Sequence, residues 1–163
     1  MAFWSDKQDI IEPLRPFRFK IMDAGTNEGY WWWAKSAAKP TFEISKEEYT
    51  LINHKIKYPG ILTWKDVNIK LVDYKDDSGT RLRKIYEFVR KGRYSFGSGD
   101  GLAKRSLSQN YIIEQLDADG NVLEKWTLIN AFITSLDTDE LSYDSEELST
   151  VSLTISYDKA ELT

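Results

Sequence analysis

The sequence predicts a mainly β protein built from two packed antiparallel sheets, as a sandwich or a partly open barrel, with one α-helix near residues 80–91. Residues 151–158 alternate apolar with hydroxyl or acidic side chains, the period-two pattern of a strand with one buried and one wet face. Asp117–Gly120 separates two alternating runs, which is typical of a β-hairpin turn. A convincing helical period occurs only at residues 80–91.

Composition limits the classes of function. The 163 residues suit a single domain with a sizeable core. We expect an N-terminal arm at residues 1–16 and one β domain at residues 17–163. With no cysteine and one histidine, disulfides and thiolate metal sites are excluded. A net charge of −4 argues against tight binding to a nucleic-acid backbone.

No run reaches the roughly 20 apolar residues that span a bilayer, so no membrane insertion is expected. The first residues also lack a basic region followed by an apolar one, and the pattern therefore predicts no secretory signal. We expect a protein made and kept in a cytoplasm, unless it leaves inside something larger.

The first 36 residues predict the arm and then a hairpin. Prolines at 13 and 16 exclude a regular helix in the arm. Phe17–Met22 alternates as a first strand, residues 23–29 have turn chemistry, and Tyr30–Ser36 is a second strand. In that strand Trp31 and Trp33 should share one face, with Trp32 opposite.

The middle of the chain predicts three more strands. We expect a short strand near Thr41–Ser45, a polar corner at Lys46–Glu48, and a strand near Thr50–Tyr58. Pro59-Gly60 has the chemistry of a turn. Residues 62–73 then alternate again.

The second half predicts the helix and the remaining strands. Asp77 or Ser78 is suited to cap the helix, and Gly92 to end it. A glycine-rich loop covers residues 94–106. Strands are then expected at Asn110–Leu116, at Asn121–Leu128 with β character continuing to Leu136, and over the final alternating run.

Candidate chemistry is weak throughout. Gly97–Gly101 lacks the Gly-Lys-Ser/Thr ending and following helix of a phosphate loop. Asp117–Gly120 leads into a strand rather than the helix of a calcium-binding loop. His54 has no nucleophile in a matching context. The sequence therefore predicts no catalytic, cofactor-binding or metal-binding residue, no cofactor and no enzyme.

An ordered set of segments resembles one known family, the tail tube proteins of T-even-like contractile-tailed bacteriophages. The set covers most of the chain in order. Its members are Pro16–Ile21, Ala34–Glu43, Tyr49–Gly60, Thr63–Asp73, Tyr86–Phe88, Trp126–Asp137 and Leu148–Tyr157.

The resemblance implies hexameric rings that stack into a tube whose lumen conducts the genome into the host. It implies a tail sheath protein outside, a tape-measure protein and DNA in the lumen without specific DNA binding, and baseplate or tube-initiator proteins at the end. The chain would then belong to a virion and assemble in the host cytoplasm. A tube or ring protein of a bacteriocin or of type VI secretion is an alternative.

Two sets of residues are candidates for assembly. The first shares apolar or charged character in segments that suit contacts between subunits or rings: Phe3, Trp4, Ile10, Ile11, Trp32, Lys46, Glu47 and Glu48. The second is acidic and would repel DNA if it lined a channel: Asp137, Asp139, Glu140 and Asp144.

A different class of function also fits the tryptophans. A cytoplasmic β-sandwich binding module could use the cluster at residues 31–33 as a stacking platform.

Overall fold

The computed structural model describes residues 14–24, 31, 33–77, 79–91 and 108–163. The elements of this part are, in chain order, β1 (Phe19–Asp23), β2 (Ala34–Ala37), β3 (Thr41–Leu51), β4 (His54–Lys65), β5 (Val67–Val72), β6 (Lys75–Asp76), β7 (Gly79–Thr80), α1 (Arg81–Lys91), β8 (Gln109–Leu116), β9 (Val122–Thr138), β10 (Thr150–Ser156) and β11 (Lys159–Leu162).

Seven strands form one antiparallel sheet in the order β1-β8-β9-β10-β5-β2, and β11 also pairs with β9. Two-stranded sheets join β3 to β4 and β6 to β7. The prediction of a mainly β, antiparallel protein with one helix is confirmed for the described residues. None of the sheets in that part of the chain closes into a barrel.

Strand β9 belongs to both halves of the large sheet. Before Asn130 it pairs with β8 and β11, Ala131 still pairs with Gln109 of β8, and from Phe132 onward the strand pairs with β10. Asn130 has φ 53°, a left-handed conformation that asparagine tolerates better than most residues. Its amide nitrogen donates to Asp158 Oδ2 at 3.1 Å, and its backbone N–H donates to Asn110 Oδ1 at 3.2 Å. The strand therefore changes direction at Asn130, and hydrogen bonds to Asn110 on one side and Asp158 on the other stabilise this corner.

One hydrophobic core lies between the two halves. Ile21 and Leu128 come from the first half, Ile69 and Leu153 from the second, and helix α1 adds Ile85. The alternation predicted for the final strand is confirmed, because the side chains of Val151, Leu153, Ile155 and Tyr157 are buried.

Helix α1 is confirmed near residues 80–91, but its cap differs from the prediction. The Arg83 backbone N–H donates to Thr80 Oγ1 at 3.3 Å. The Leu82 backbone N–H donates to Asp73 Oδ1 at 3.1 Å. The helix is thus capped by Thr80 and Asp73, which accept from N–H groups of its first turn, rather than by Asp77. The other predicted cap, Ser78, lies outside the described residues.

The strand ladder expected between Phe17–Met22 and Tyr30–Ser36 is wrong, although one backbone bond joins the two segments, from the Trp31 N–H to the Ile21 carbonyl at 2.7 Å. β1 pairs with β8, and β2 pairs with β5. Trp31 and Trp33 do not share a strand face, because the Ala34 N–H donates to the Trp31 carbonyl in a tight turn. Trp31 is 8% exposed and Trp33 is 52% exposed. Distant strands with buried faces offer more apolar contact than a local hairpin.

The corner in β9 makes a testable prediction about backbone strain. Replacing Asn130 by valine should destabilise the subunit by about 2 kcal/mol, because a β-branched side chain disfavours positive φ. Glycine at the same position should cost less than about 1 kcal/mol, since it accepts that φ. Denaturant unfolding measures both, with Leu123→Val, an exposed strand position, as control. Equal losses for valine and glycine would contradict a role for backbone conformation.

Candidate assembly surfaces

Strands β3 and β4 form one long hairpin. Both are continuous, with their turn at Ile52 and Asn53, where Ile52 has φ 43°. The polar corner predicted at Lys46–Glu48 is wrong, because these residues continue β3 and pair with β4. The turn predicted at Pro59-Gly60 is also wrong. The reason is that a period-two apolar pattern continues on both sides of these polar residues. Pairing along the whole hairpin therefore provides partners for the backbone N–H and C=O groups.

A β-bulge replaces the expected turn. The register shifts between Ile44, which pairs with Leu62, and Lys46, which pairs with Pro59. Ser45 therefore faces Gly60, and Ser45 Oγ accepts from the Ile61 N–H at 2.8 Å. A Cβ on residue 60 would lie 2.2 Å from that oxygen, so any side chain there would displace the Ser45 hydroxyl from this bond. Proline and glycine within strands are typical of such bulges.

The hairpin continues the ribbon formed by β2 and β5. Ala37 pairs with Ile69, the Ala38 N–H donates to the Asn68 carbonyl at 2.9 Å, and Thr41 pairs with Lys65. At its root, Trp64 packs on Tyr157 with ring centroids 5.9 Å apart. Eleven strand residues extend about 35 Å, so the hairpin projects well beyond the end of the sheet.

The hairpin is exposed along almost its whole length. Lys46, Glu47 and Glu48 all lie on its surface, and Glu48 makes only long ion pairs, 3.7 Å to Lys46 and 3.6 Å to Lys55. Such pairs contribute little stability. An isolated two-stranded hairpin is marginal in water. Large apolar side chains are also exposed: Phe42, Ile44, Tyr49, Leu51, Ile52, Tyr58, Ile61 and Leu62.

The second surface is the outer face of β9, β10 and β5, which we call the polar face. Thr154 Oγ1 and Asn68 Oδ1 lie 2.9 Å apart, and Ser135 Oγ donates to Asp137 Oδ2 at 3.0 Å. Ser152 and Lys70 lie beside them in register. Hydroxyls and amides therefore cover one side of these strands, and their other side faces the core.

The half-sheet that carries the polar face has two edges. At one edge is β2, which pairs with β5 alone among the described strands. At the other is the part of β9 from Phe132 onward, which within the same described part pairs with β10 alone. Unpaired strand edges are templates for a further strand, so this half-sheet can be extended from both sides.

The third surface is the acidic segment, residues 137–149, which connects β9 to β10. Thr150 donates its backbone N–H to Asp139 Oδ2 at 2.8 Å, and its hydroxyl to the same oxygen. These bonds, with smaller effects from Lys70 and Lys35, lower the pKa of Asp139. Asp139 thus has a structural role that the sequence did not reveal. Asp137 lies on the polar face, and Glu140 and Asp144 are exposed on the segment.

Sequence reasoning missed the apolar side chains in this acidic segment. Leu141 is 91% exposed and Leu148 is 72% exposed, and the Tyr143 side chain is fully exposed. Acidic and hydroxyl residues lie between these apolar side chains, so the sequence of the segment shows no helical or strand period. An exposed mixture of large apolar and acidic groups is typical of a contact surface.

The remaining candidates divide into two groups. Trp31 is buried, with the Tyr111 ring at 5.7 Å and the Arg81 guanidinium over its ring at 5.2 Å. Trp33 packs against Tyr74 at 5.0 Å, so these two tryptophans do not form a shared stacking platform. Five predicted contact residues lie outside the described part of the chain: Phe3, Trp4, Ile10, Ile11 and Trp32.

Within the described residues, no cluster of three or more histidine and acidic side chains has the geometry to hold a metal ion. In the same part of the chain, no helix has the length and apolar character needed to cross a bilayer. The features that stand out are thus surfaces rather than a reactive site.

A family comparison matches most of the chain. The model of the T4-like virus tail tube protein gp19 family matches residues 35–161, which includes the hairpin, the polar face and the acidic segment. No curated protein sequence matches the chain.

Solved structures share the fold at low sequence identity. The sheath-tube complex of an extracellular contractile injection system (PVC) contains a chain with TM-score 0.73, 14% identity, and coverage of 94% of this chain and 93% of that one. The anti-feeding prophage cap gives TM-score 0.73 and 18% identity over 100% and 99%. Hcp1 from Flavobacterium johnsoniae gives 0.51 and 12% over 90% and 94%.

The lowered pKa of Asp139 predicts a pH dependence of stability. Because the folded-state pKa lies below the ordinary value of 3.8, the charged carboxylate stabilises the fold above that pH. The stabilisation is lost as pH falls through the folded-state pKa. Asp139→Asn should therefore be less stable than wild type at pH 7, and the difference should shrink below pH 4 (about the ordinary value). Unfolding curves of the wild type and the variant, measured at pH 7 and below about pH 4, test this, with Glu140→Gln as control. A stability difference between the two proteins that stays the same at the lower pH would contradict the prediction.

Proposed function

Because the chain belongs to the T4-like virus tail tube protein gp19 family, it is a structural subunit of a tube, and we propose that it forms hexameric rings that stack around a genome-conducting lumen. The observation that carries the proposal is the half-sheet with one polar face and two edges that no strand of the described residues covers. Family membership supports a structural role, and we propose no enzymatic activity.

Ring closure follows from the edges. Strand β2 of one subunit would pair with the second part of β9, Phe132–Thr138, of the next. Because the two edges are different, the contact is heterologous, and it closes into a ring when the rotation between subunits fits. Closure removes both unpaired edges and produces a continuous barrel whose strands come from all subunits.

The polar face would line the lumen. The hydroxyl groups of Ser135, Ser152 and Thr154 on this face carry no charge. Two charged side chains flank Ser152 in register: Asp137 on β9 and Lys70 on β5. A duplex held by few cationic groups binds weakly and moves easily, because affinity for DNA depends on phosphate neutralisation. This wall suits passage of DNA or of a tape-measure protein without specific binding.

The outside and the ends of the tube would contact other proteins. One structure of this fold is a sheath-tube complex and another is a tube-terminating cap. We propose corresponding partners here: a sheath outside, and baseplate or terminating proteins at the ends. The virion is the proposed location, with assembly in the host cytoplasm.

A second candidate function is the tube of an injection particle without a genome. The likeness to an extracellular contractile injection system and to an anti-feeding prophage favours it. Both functions use the same ring, and they differ in what the lumen carries.

Electron microscopy of the purified, concentrated protein tests ring formation. The proposal predicts six-subunit rings with an open lumen, alone or stacked into tubes. Sedimentation at increasing concentration should show the same hexamer. A monodisperse monomer at every concentration and salt condition would contradict the proposed function.

The composition of the lumen wall makes a separate prediction. Replacing both Ser152 and Thr154 with lysine should leave rings intact but make assembled tubes retain DNA at low salt and release it at high salt. Co-sedimentation of tubes with duplex DNA measures this. Lysines at Ala118, in the β8–β9 turn, and at Thr163, after β11, add the same two positive charges away from the polar face and are the matched control. Equal DNA retention by both variants would contradict the assignment of the polar face to the lumen.

A further inference from the structure

One row of side chains crosses the half-sheet that carries the polar face. Ser36 of β2 pairs with Lys70 of β5, Lys70 pairs with Ser152 of β10, and Ser152 pairs with Asp137 of β9. Lys35, next to Ser36, is the extra residue at a register shift in β2. The row therefore has a lysine at its β2 edge and an aspartate at its β9 edge.

The charged groups at the two edges are exposed and have no ion-pair partner in the described part of the subunit. Lys35 and Asp137 are both exposed, and neither forms a salt bridge with another described residue. Asp137 Oδ2 accepts from Ser135 Oγ at 3.0 Å. Lys35 helps to lower the pKa of Asp139, but Asp139 Oδ2 already accepts two bonds from Thr150. Both charges are thus available for a partner.

The width of the half-sheet prevents these two groups from pairing with each other inside one subunit. The order β9-β10-β5-β2 places three strand intervals between the edges. At about 4.8 Å for each interval, the two backbones lie about 14 Å apart. Lys70 and Ser152 also stand between them in the row. An ion pair between Lys35 and Asp137 therefore requires a second copy of the chain.

Strand direction favours such a contact around a ring. Each of the three pairings from β9 to β2 is antiparallel, so β2 runs opposite to β9. Rotation about the axis of a ring leaves the direction of a strand relative to that axis unchanged. The β2 edge of one subunit therefore meets the β9 edge of the next as an antiparallel pair.

We propose that Lys35 of each subunit forms an ion pair with Asp137 of a second copy of this chain, the next subunit in the same ring, and that this pair sets the register of their β2–β9 contact. The inference rests on the proposed tube function and specifies the residues of its ring contact. Opposite charges that face each other across neighbouring strands stabilise the pairing. The row Ser36–Lys70–Ser152–Asp137 then continues from subunit to subunit around the ring.

The core-facing side of the same strands supports this register. Ala37 pairs with Ile69, Ile69 with Leu153, and Leu153 with Leu136, and all four side chains pack in the core. The proposed register places the small Ala37 beside the large Leu136 of the next subunit, an alternation that fills space without overlap. A slip by one residue would exchange the two faces of the incoming strand and would bring Lys35 toward the core.

Disulfide crosslinking tests the register, because the natural chain contains no cysteine. The double variant Lys35→Cys with Asp137→Cys should give a ladder of covalent oligomers up to the hexamer on mild oxidation, read on a non-reducing gel. A separation of about 14 Å within one subunit exceeds the Cα distance that a disulfide can span, about 7 Å at most. Each single variant should give dimers at most.

A matched variant distinguishes the proposed register from its neighbours. Lys35→Cys with Ser135→Cys moves one thiol two residues along β9, about 7 Å, and should crosslink much more slowly. A ladder from this variant but not from the first would overturn the register. Assembled rings in which the first variant forms no ladder would overturn the contact itself. Absence of rings from the wild-type protein would instead refute the proposed function.

Charge exchange tests the ion pair independently and decides the question if the cysteine variants do not assemble. Lys35→Glu and Asp137→Lys should each raise, at least about threefold, the concentration at which half of the protein is in rings, because like charges then face each other. The double variant should lose less than the two single losses combined, since opposite charges meet again.

Sedimentation at low salt measures these concentrations. Arg90→Glu on α1 makes the same change in charge as Lys35→Glu and should leave ring formation unchanged; an equal loss there would show a general effect of charge and overturn the proposal. Losses that simply add in the double variant would overturn it as well, because additivity means that the two side chains do not interact.

Discussion

The corner of strand β9 at Asn130 is the constraint on which the rest of the subunit depends. One continuous strand serves the two halves of the sheet, and the positive φ of Asn130 sets the change of direction between them. β10 and β11 follow it on the same side, separated by Tyr157 and Asp158. Asp158 then accepts the Asn130 side-chain amide. The core forms because the corner directs the apolar faces of both halves toward each other.

The same corner leaves the second half of the sheet available for assembly. From Phe132 onward, β9 has β10 on one side, and the described part of the chain places no strand on the other. The β2–β5 ribbon, which begins at the opposite edge, continues out of the sheet as the long hairpin. An open edge allows a neighbouring subunit to extend the sheet. The two edges of this half-sheet therefore support the proposed closure of a ring.

Sequence periodicity predicted most of the body. The alternation at residues 67–71 and 151–157, the Asp117–Gly120 turn and the helix all formed as expected, because each pattern reports a local conformation with one buried face. The sequence pattern divides the hairpin wrongly, because Lys46–Glu48 and Pro59-Gly60 are turn-like by composition. Pairing across the hairpin outweighs that local preference, and the bulge accommodates the proline and glycine. The pairing of β1 with β8 is a long-range choice that no local pattern encodes. Asp139 was identified as acidic, but its bonds to Thr150 depend on the three-dimensional end of β10.

The most direct test of the ring architecture is a high-resolution reconstruction of the assembled protein by cryo-electron microscopy. The account predicts backbone hydrogen bonds between β2 of one subunit and residues 132–138 of its neighbour, with Ser135, Ser152 and Thr154 facing the lumen. A ring in which these two edges remain apart, or in which the polar face is turned to the outside, would contradict it.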